Sequence, residues 1–142
     1  MKKKFKKILW IIPISLVVLF LLMLFSFYSG PMQVVKYDMY LEVSGGTDDM
    51  CISGDTDALY FGKVPPTAQS KRDIVIKNLP EVSKVVIEVD GPLSSWTHIN
   101  KNDFILQPGE LTNVTVKLTV PFGAQPGDYT GTFKVKFYKP VL

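Results

Sequence analysis

Apolar and polar residues alternate along most of the chain beyond residue 34. The longest segments with this two-residue period are residues 35–43, 72–77, 84–89, 113–120 and 129–138. Alternation of this kind predicts β-strands that place one face in a hydrophobic core and the other in water. No segment beyond residue 30 shows a convincing 3.6-residue apolar period, so the pattern indicates an all-β domain.

Turn-forming residues separate these segments. Pro108–Gly109 and Pro126–Gly127 are typical of turns, because proline presets φ at the second turn position and glycine adopts the positive φ that follows. Shorter extended segments are predicted at residues 58–64, 96–99 and 104–106. About seven or eight short strands with turn signals between them predict an antiparallel β-sandwich.

The alternation also predicts which side chains form the core. Tyr129 directly follows a Pro-Gly turn, and we expect its ring to pack inward while its hydroxyl bonds nearby backbone, as in a tyrosine corner. The complete predicted core takes one alternating set from each long strand: Val35, Tyr37, Met39, Leu41, Val43, Ile74, Ile76, Val85, Ile87, Val89, Val114, Val116, Leu118, Val120, Tyr129, Phe133, Val135 and Phe137.

A different pattern occupies the amino-terminal part of the chain. Residues 8–28 carry no charged side chain, and fifteen of them are Ile, Leu, Val or Phe. A helix of this length is roughly 31 Å long, which is enough to cross the hydrocarbon layer of a membrane. A cleavable signal peptide is the alternative, but its cleavage site needs small residues where Phe27 and Tyr28 stand. The pattern therefore predicts an uncleaved signal anchor, with the lipid bilayer as its partner.

Charged residues around this segment predict its orientation. Five lysines precede it: Lys2, Lys3, Lys4, Lys6 and Lys7. Positively charged residues remain on the cytoplasmic side, so we expect the rest of the chain to lie outside the cell membrane. The predicted divisions are a cytoplasmic basic flank at 1–7, a transmembrane helix at 8–28, a short tether at 29–34 and a β-sandwich domain at 35–142.

The charge balance of the predicted domain excludes a nucleic-acid surface. Beyond the five lysines at the start, eleven Lys and Arg face thirteen Asp and Glu, and Arg72 is the single arginine of the chain. Nucleic-acid-binding domains are normally strongly basic with clustered arginines. The single cysteine, Cys51, cannot form an internal disulfide, so the domain depends on burial of apolar residues for its stability.

Five short motifs resemble a known family of modules. They are FGKVPP at 61–66, GPLSSW at 91–96, FILQPGE at 104–110, NVTVKLTVP at 113–121 and PGDYTGTF at 126–133. In this order they resemble the immunoglobulin-like (fibronectin-III-like) modules of bacterial and archaeal cell-surface and secreted proteins, including those beside carbohydrate-binding modules in glycosidases. The resemblance implies an Ig-like sandwich, here as one copy on the predicted anchor, and a role as spacer, stalk or docking surface.

Catalytic and transition-metal sites find little support in the sequence. A triad of Ser94 or Ser95 with His98 and Asp90 or Asp103 lacks the strained turn that presents a nucleophile. Blue-copper sites need two histidines and a cysteine, and zinc needs four nitrogen or sulfur ligands. The chain has one histidine and one cysteine, so we expect no enzyme activity and no cofactor.

Calcium is the one metal with candidate ligands. Asp48, Asp49, Asp55 and Asp57 lie on a glycine-containing segment, and Ca²⁺ binds carboxylate and carbonyl oxygens of such loops. Their spacing differs from that of an EF-hand. A weak Ca²⁺ site and a solvated acidic loop are therefore both open interpretations.

Two outward-facing features carry further hypotheses. Asn113-Val114-Thr115 is an N-glycosylation sequon, and the alternation places Asn113 and Thr115 on the wet face. Lys117, Lys134 and Lys136 form an outward basic set, which we interpret as protection of an exposed strand edge against pairing with other chains. Contact with acidic envelope polymers or lipid headgroups is the alternative for these lysines.

These observations predict a non-enzymatic function at the cell envelope. The leading prediction is a membrane-anchored, extracytoplasmic Ig-like domain that acts as a protein-interaction or structural subunit, with a protein partner in the envelope. The alternative is a ligand-binding module for envelope glycan or Ca²⁺. A glycan site would need an exposed aromatic platform, for which Tyr40 and Tyr138 are the candidates.

Overall fold

The chain forms two compact units, residues 1–30 and 31–142. The computed structural model describes residues 2–45 and 58–140, with the side chains of residues 2–11 and 28 left aside. The first unit contains helix α1, Lys2–Ser29, and the second contains all eight strands described below. The hydroxyls of Ser15 and Ser29 donate to the carbonyls of Ile12 and Phe25, each at 2.9 Å, as serines in helices commonly do.

The predicted transmembrane helix is corrected by the structure. Within the described residues, no helix carries an apolar stretch long enough to cross a membrane.

Eight strands form the second unit. Their bounds are β1 Gln33–Val43, β2 Ala58–Val64, β3 Gln69–Lys77, β4 Ser83–Asp90, β5 Thr97–Ile99, β6 Phe104–Leu106, β7 Leu111–Thr119 and β8 Gly127–Tyr138, with a 3₁₀ helix at Pro92–Trp96 between β4 and β5. Each strand coincides with a predicted extended segment, because alternation of apolar and polar residues is a strong strand signal when one face is buried. The sequence prediction placed Trp96 in a strand, whereas it ends the 3₁₀ helix.

The strands form two sheets that enclose one core. The larger sheet has the order β2-β1-β8-β4-β6, and the smaller has the order β3-β7-β5. The longest pairing joins β1 to β8 in antiparallel register from Gln33 opposite Phe137 to Val43 opposite Gly127. The prediction of a β-sandwich module is confirmed.

One pair of strands departs from the predicted antiparallel arrangement. β1 and β2 run parallel, with Asp38 opposite Ala58 and Val43 opposite Val64. A parallel pair needs a crossover connection of about a dozen or more residues, and the segment between Val43 and Ala58 is long enough. The local alternation gave no sign of this pairing, because it reports which face is buried and not which strand is the neighbour.

A β-bulge explains why β2 alternates poorly. The register between the two strands shifts after Tyr40, so that Phe61 and Gly62 together occupy the place opposite Leu41. Gly62 has φ of 78°, a conformation that glycine adopts without steric cost. The extra residue lets both Phe61 and Val64 point into the core, although three positions separate them.

Burial follows the predicted pattern on the long strands. Met39, Val85, Val114 and Phe133 are fully buried, and the remaining predicted core residues are buried or packed against the core. The structure adds Phe61, Val64, Leu93 and Leu106 to the core, none of which belongs to a long alternating segment.

A buried polar network fixes the connection between the two sheets. The Asn78 side-chain amide donates to the carbonyls of Leu106, Gln107 and Glu81 at 2.8, 2.6 and 3.1 Å. Its Oδ1 accepts from the Leu79 N–H at 2.8 Å and from the Ser83 hydroxyl. No buried side-chain polar atom among the described residues lacks a hydrogen-bond partner.

Candidate functional site

The outer face of the larger sheet carries exposed polar and aromatic side chains on neighbouring strands. Even-numbered residues of β1 point outward beside even-numbered residues of β8, because their partners on the other face are buried. Asp38 lies opposite Thr132, Tyr40 opposite Thr130 and Glu42 opposite Asp128. β2 adds Tyr60 and Lys63 on the other side of β1.

Two tyrosines form an aromatic pair on this face, where the edge strand β2 lies beside β1. Tyr40 and Tyr60 are directly opposite each other in the parallel β1–β2 pair, and their rings stack with centroids 5.0 Å apart and planes 15° from parallel. Tyr40 is 39% exposed and Tyr60 is partly buried. Stacking holds both rings in a defined orientation while leaving aromatic surface open to solvent.

A cavity lies on each side of Tyr40 and Thr130. The first, of about 490 Å³, is lined by Asp38, Tyr40, Asp90, Thr130 and Thr132 together with backbone around Gly91 and Gly131. The second, of about 510 Å³, is lined by Tyr40, Glu42, Tyr60, Lys63, Asp128, Tyr129 and Thr130, with Leu41 and Gly62. Both cavities are lined in part by Tyr40 and Thr130, so they are neighbours along β1 and β8, and we call the two cavities together the groove.

Carboxylates dominate the charge of the groove. Glu42 pairs with Lys63 at 3.4 Å, and Asp90 accepts a hydrogen bond from the Lys134 ammonium. That hydrogen bond holds the pKa of the Asp90 carboxyl below its usual range, with partial desolvation acting against it. Within the described part of the chain, Asp38 and Asp128 form no ion pair. Both are exposed and present acceptor oxygens to the groove.

The lysines interpreted as edge protection occupy interior strands. β8 lies between β1 and β4, and β7 lies between β3 and β5, so Lys134, Lys136 and Lys117 are on sheet faces and not on edges. Lys136 pairs with Glu88 at 2.5 Å, which raises the pKa of the lysine. The edge interpretation is therefore wrong, because strand order places the last strand in sequence at the middle of its sheet.

Side-chain hydrogen bonds cover part of the free edge of β2 instead. Arg72 Nε donates to the Tyr60 carbonyl at 2.7 Å, and the Ser70 hydroxyl donates to the Phe61 carbonyl at 2.9 Å. Both side chains come from β3, so they also tie the smaller sheet to the strand that carries Tyr60. This contact supports the position of the aromatic pair.

The predicted metal ligands and His98 do not come together in one site within the described residues. The calcium candidates Asp48, Asp49, Asp55 and Asp57 lie outside the described residues, as does Cys51, so the Ca²⁺ hypothesis stays a prediction. Among the described residues, no group of three or more His, Cys, Asp or Glu is placed to hold a metal ion. His98 is exposed on β5 opposite Lys117.

The sequon residues lie on the outer face of the smaller sheet. Asn113 is exposed on β7 opposite Val75, and the hydroxyl of Thr115 donates to Asp73 Oδ1 at 2.6 Å. Glycosylation of Asn113 stays a prediction. The second tyrosine candidate, Tyr138, lies at the far end of β8 opposite Lys84. Unlike Tyr40, it lines neither of the two cavities.

Sequence reasoning missed Tyr60 as the partner of Tyr40. Residues 58–64 do not alternate cleanly because of the bulge, so no face could be assigned to Tyr60 from the pattern. The parallel pairing that brings the two rings together also has no local signal. The one available sign was the presence of a second tyrosine on a short strand beside turn residues.

The comparison with known families concerns the carboxyl-terminal part of the sandwich. Residues 79–138 match the family model described as the NPCBM-associated, NEW3 domain of alpha-galactosidase. The matched region begins at Leu79, just before β4, runs to the end of β8 and includes Asp90, Asp128 and Thr130 of the groove. No curated protein matches the chain. Over this region the chain is similar to a β-sandwich accessory domain.

Proposed function

We propose that this protein is a non-catalytic accessory module that binds carbohydrate in the groove centred on Tyr40 and Tyr60. The observation that carries the proposal is the stacked tyrosine pair, in which the exposed Tyr40 lines both cavities and the partly buried Tyr60 lines one of them. We further propose that the sandwich is of the immunoglobulin-like type, with Tyr129 in the position of a tyrosine corner. The proposed binding surface lies on a sheet face, where the strands position the side chains.

The aromatic pair supplies the apolar half of sugar recognition. Sugar rings carry C–H groups on their faces, and these pack favourably against the faces of aromatic rings. The Tyr40 ring is held by Tyr60 on one side, so little conformational freedom is lost when a ligand packs on it. An exposed ring fixed in this way is more useful for binding than a mobile one.

The carboxylates and hydroxyls supply the polar half. Asp38 and Asp128 accept hydrogen bonds, and Thr130 and Thr132 both donate and accept them. Sugar hydroxyls need both functions, and a charged acceptor strengthens each bond it forms. The similarity of residues 79–138 to a domain associated with an alpha-galactosidase supports a carbohydrate ligand over a protein one.

A glycan array tests this proposal with the purified full-length chain. We expect the protein to bind a subset of glycans, and Tyr40→Ala to lower that binding at least roughly tenfold, the loss of about one aromatic packing interaction. Tyr138→Ala is the matched control, because it removes a tyrosine from the same sheet face outside the groove. Thermal unfolding of both variants verifies that the fold is retained.

Three outcomes bear on the proposal. Glycan binding that depends on Tyr40 and not on Tyr138 supports it. Binding that survives Tyr40→Ala in a folded protein places the site elsewhere and overturns the assignment. Failure of the wild-type chain to retain any glycan removes carbohydrate as the ligand.

Protein docking remains the second candidate, and one observation favours it. Phe122 is 92% exposed in the connection between β7 and β8, next to Gly123 with φ of 89°. Large aromatic residues at such positions often act as anchors that a partner buries. Phe122→Ser would then abolish recovery of a stoichiometric partner in crosslinking from the native cells, while Phe27→Ser, in the other unit, would not. We also propose that the β-sandwich lies outside the cell.

A further inference from the structure

We infer, resting on the proposed carbohydrate function, that the groove selects uncharged oligosaccharides and discriminates against glycans that carry carboxylates. The charge preference follows from the ionic side chains that line the two cavities. The preference for an oligosaccharide follows from the combined length of the two cavities.

The size follows from the geometry of β1. The groove extends along this strand from Asp38 past Tyr40 to Glu42, with Thr132, Thr130 and Asp128 beside it on β8. At about 3.3 Å per residue this distance is roughly 13 Å. Because the two cavities adjoin at Tyr40 and Thr130, one chain of sugar units occupies both, and a single sugar fills only one.

The charge preference follows from the ionic groups around the groove. Asp38, Glu42, Asp90 and Asp128 line the cavities, as does Lys63, which is paired with Glu42. Asp90 is paired with Lys134, so Asp38 and Asp128 are the lining carboxylates that form no ion pair within the described residues. A bound uronate or sialate would bring a further negative charge beside Asp38 or Asp128, and the two like charges would repel each other. Neutral sugars instead offer hydroxyl donors to the same oxygens.

Isothermal titration with matched sugars tests the inference. Each neutral glycan that the wild-type chain binds is compared with the same glycan oxidised at C6 to the uronate, and with its own monosaccharide. We expect the uronate to bind at least roughly fivefold more weakly at low salt, and the difference to shrink as salt is raised. We expect a tetrasaccharide to bind at least about tenfold more tightly than the monosaccharide, because it contacts both cavities.

The double variant Asp38→Asn/Asp128→Asn provides the control for charge. It keeps the size and an acceptor oxygen at each position but removes the charge, so both glycans lose charge-assisted hydrogen bonds while only the uronate is relieved of repulsion. The ratio of uronate binding to neutral-glycan binding should therefore rise several-fold. A double variant with Asp73→Asn and Asp103→Asn, two exposed carboxylates outside the groove, should leave the ratio unchanged.

Failure of this inference is distinguishable from failure of the proposed function. Uronates that bind as tightly as neutral glycans through Tyr40 overturn the charge preference and leave carbohydrate binding in place. Monosaccharides that bind as tightly as tetrasaccharides overturn the two-cavity arrangement in the same way. A wild-type chain that binds no sugar overturns both proposals.

Discussion

The ring of Trp96 packs against the ring of Tyr129, with centroids 4.6 Å apart and planes tilted by 48°. The Tyr129 hydroxyl donates to the Gln125 carbonyl at 2.9 Å, across the turn that precedes β8. The expectation that this tyrosine packs its ring inward and bonds nearby backbone is confirmed. The two aromatic residues join the 3₁₀ helix to the start of the strand that runs through the middle of the larger sheet.

Removing the Tyr129 hydroxyl should cost a measurable part of the stability. Tyr129→Phe loses the bond to Gln125 and keeps the ring, so we expect a loss of about 0.5–1.5 kcal/mol in the free energy of unfolding. Tyr129→Ala also loses the contact with Trp96 and should cost about 3 kcal/mol or more. Urea unfolding followed by tryptophan fluorescence measures both. The Tyr138 hydroxyl forms no hydrogen bond within the described residues, so Tyr138→Phe should leave the free energy of unfolding nearly unchanged. Equal losses in the two phenylalanine variants would contradict this account.

The Asn78 network should be among the most sensitive polar sites. Asn78→Ala leaves the carbonyls of Leu106 and Gln107 without their donor in a buried place, so we expect a loss of about 2–4 kcal/mol. Thermal unfolding measures it. The exposed Asn113→Ala, made in a host without N-glycosylation, should change stability by no more than about 0.5 kcal/mol. An Asn78→Ala variant with unchanged stability would show that water replaces the side chain as hydrogen-bond donor.

Gly131 should resist enlargement. A Cβ at this position on β8 would lie 3.0 Å from the Asp90 carbonyl oxygen and 3.2 Å from the Leu93 Cβ, so the 3₁₀ helix would have to move. We expect Gly131→Ala to destabilise by about 1–3 kcal/mol, as overpacking does. Gly30→Ala, where nothing lies within 4 Å, is the control and should be neutral. A stabilised Gly131→Ala would mean that the backbone adjusts without strain.

The Asp90–Lys134 pair should make stability depend on acid pH. The pKa of Asp90 is lower in the folded protein, chiefly through the hydrogen bond from Lys134, so the contribution is present above the ordinary carboxyl pKa. It is lost as the pH falls below about 4, through the folded-state pKa. Melting temperatures between pH 2.5 and 6 should therefore fall less steeply for Asp90→Asn than for the wild type.

The Lys136–Glu88 pair should make stability depend on pH at the alkaline end of the range. The pKa of Lys136 is raised, first by its hydrogen bond to Glu88, so its contribution is present below the ordinary lysine pKa. It is lost as the pH rises above about 10.5. In Lys136→Met, the melting temperature should fall less steeply at alkaline pH than in the wild type, and its dependence on acid pH should be unchanged. Variants that weaken neither dependence on pH would show that solvent screens both pairs.

The sequence predicted the strands and their buried faces well, because alternation reports burial directly. Ile74, Val85, Val114 and Phe133 all lie where the two-residue period placed them. The 3₁₀ helix at Pro92–Trp96 was missed, since a single short turn leaves no period to detect.

The candidate site was predictable only in part, because it depends on which strands are neighbours. Tyr40 was recognised as an outward aromatic residue, but its partner Tyr60 reaches it through a parallel pairing and a bulge. Lys134 was placed on the correct face and given the wrong role, because β8 lies inside its sheet. Long-range pairing of this kind is decided by the packing of the whole domain.

The pairing of β1 with β8 has a consequence for biosynthesis. Gln33 must find Phe137, far along the chain, before β1 and β4 acquire the strand that lies between them. Because β8 is the last strand in sequence, β1 leaves the ribosome long before β8 is made, and closing so large a loop is then slow. During that interval its apolar side chains depend on chaperones or on temporary contacts to avoid aggregation.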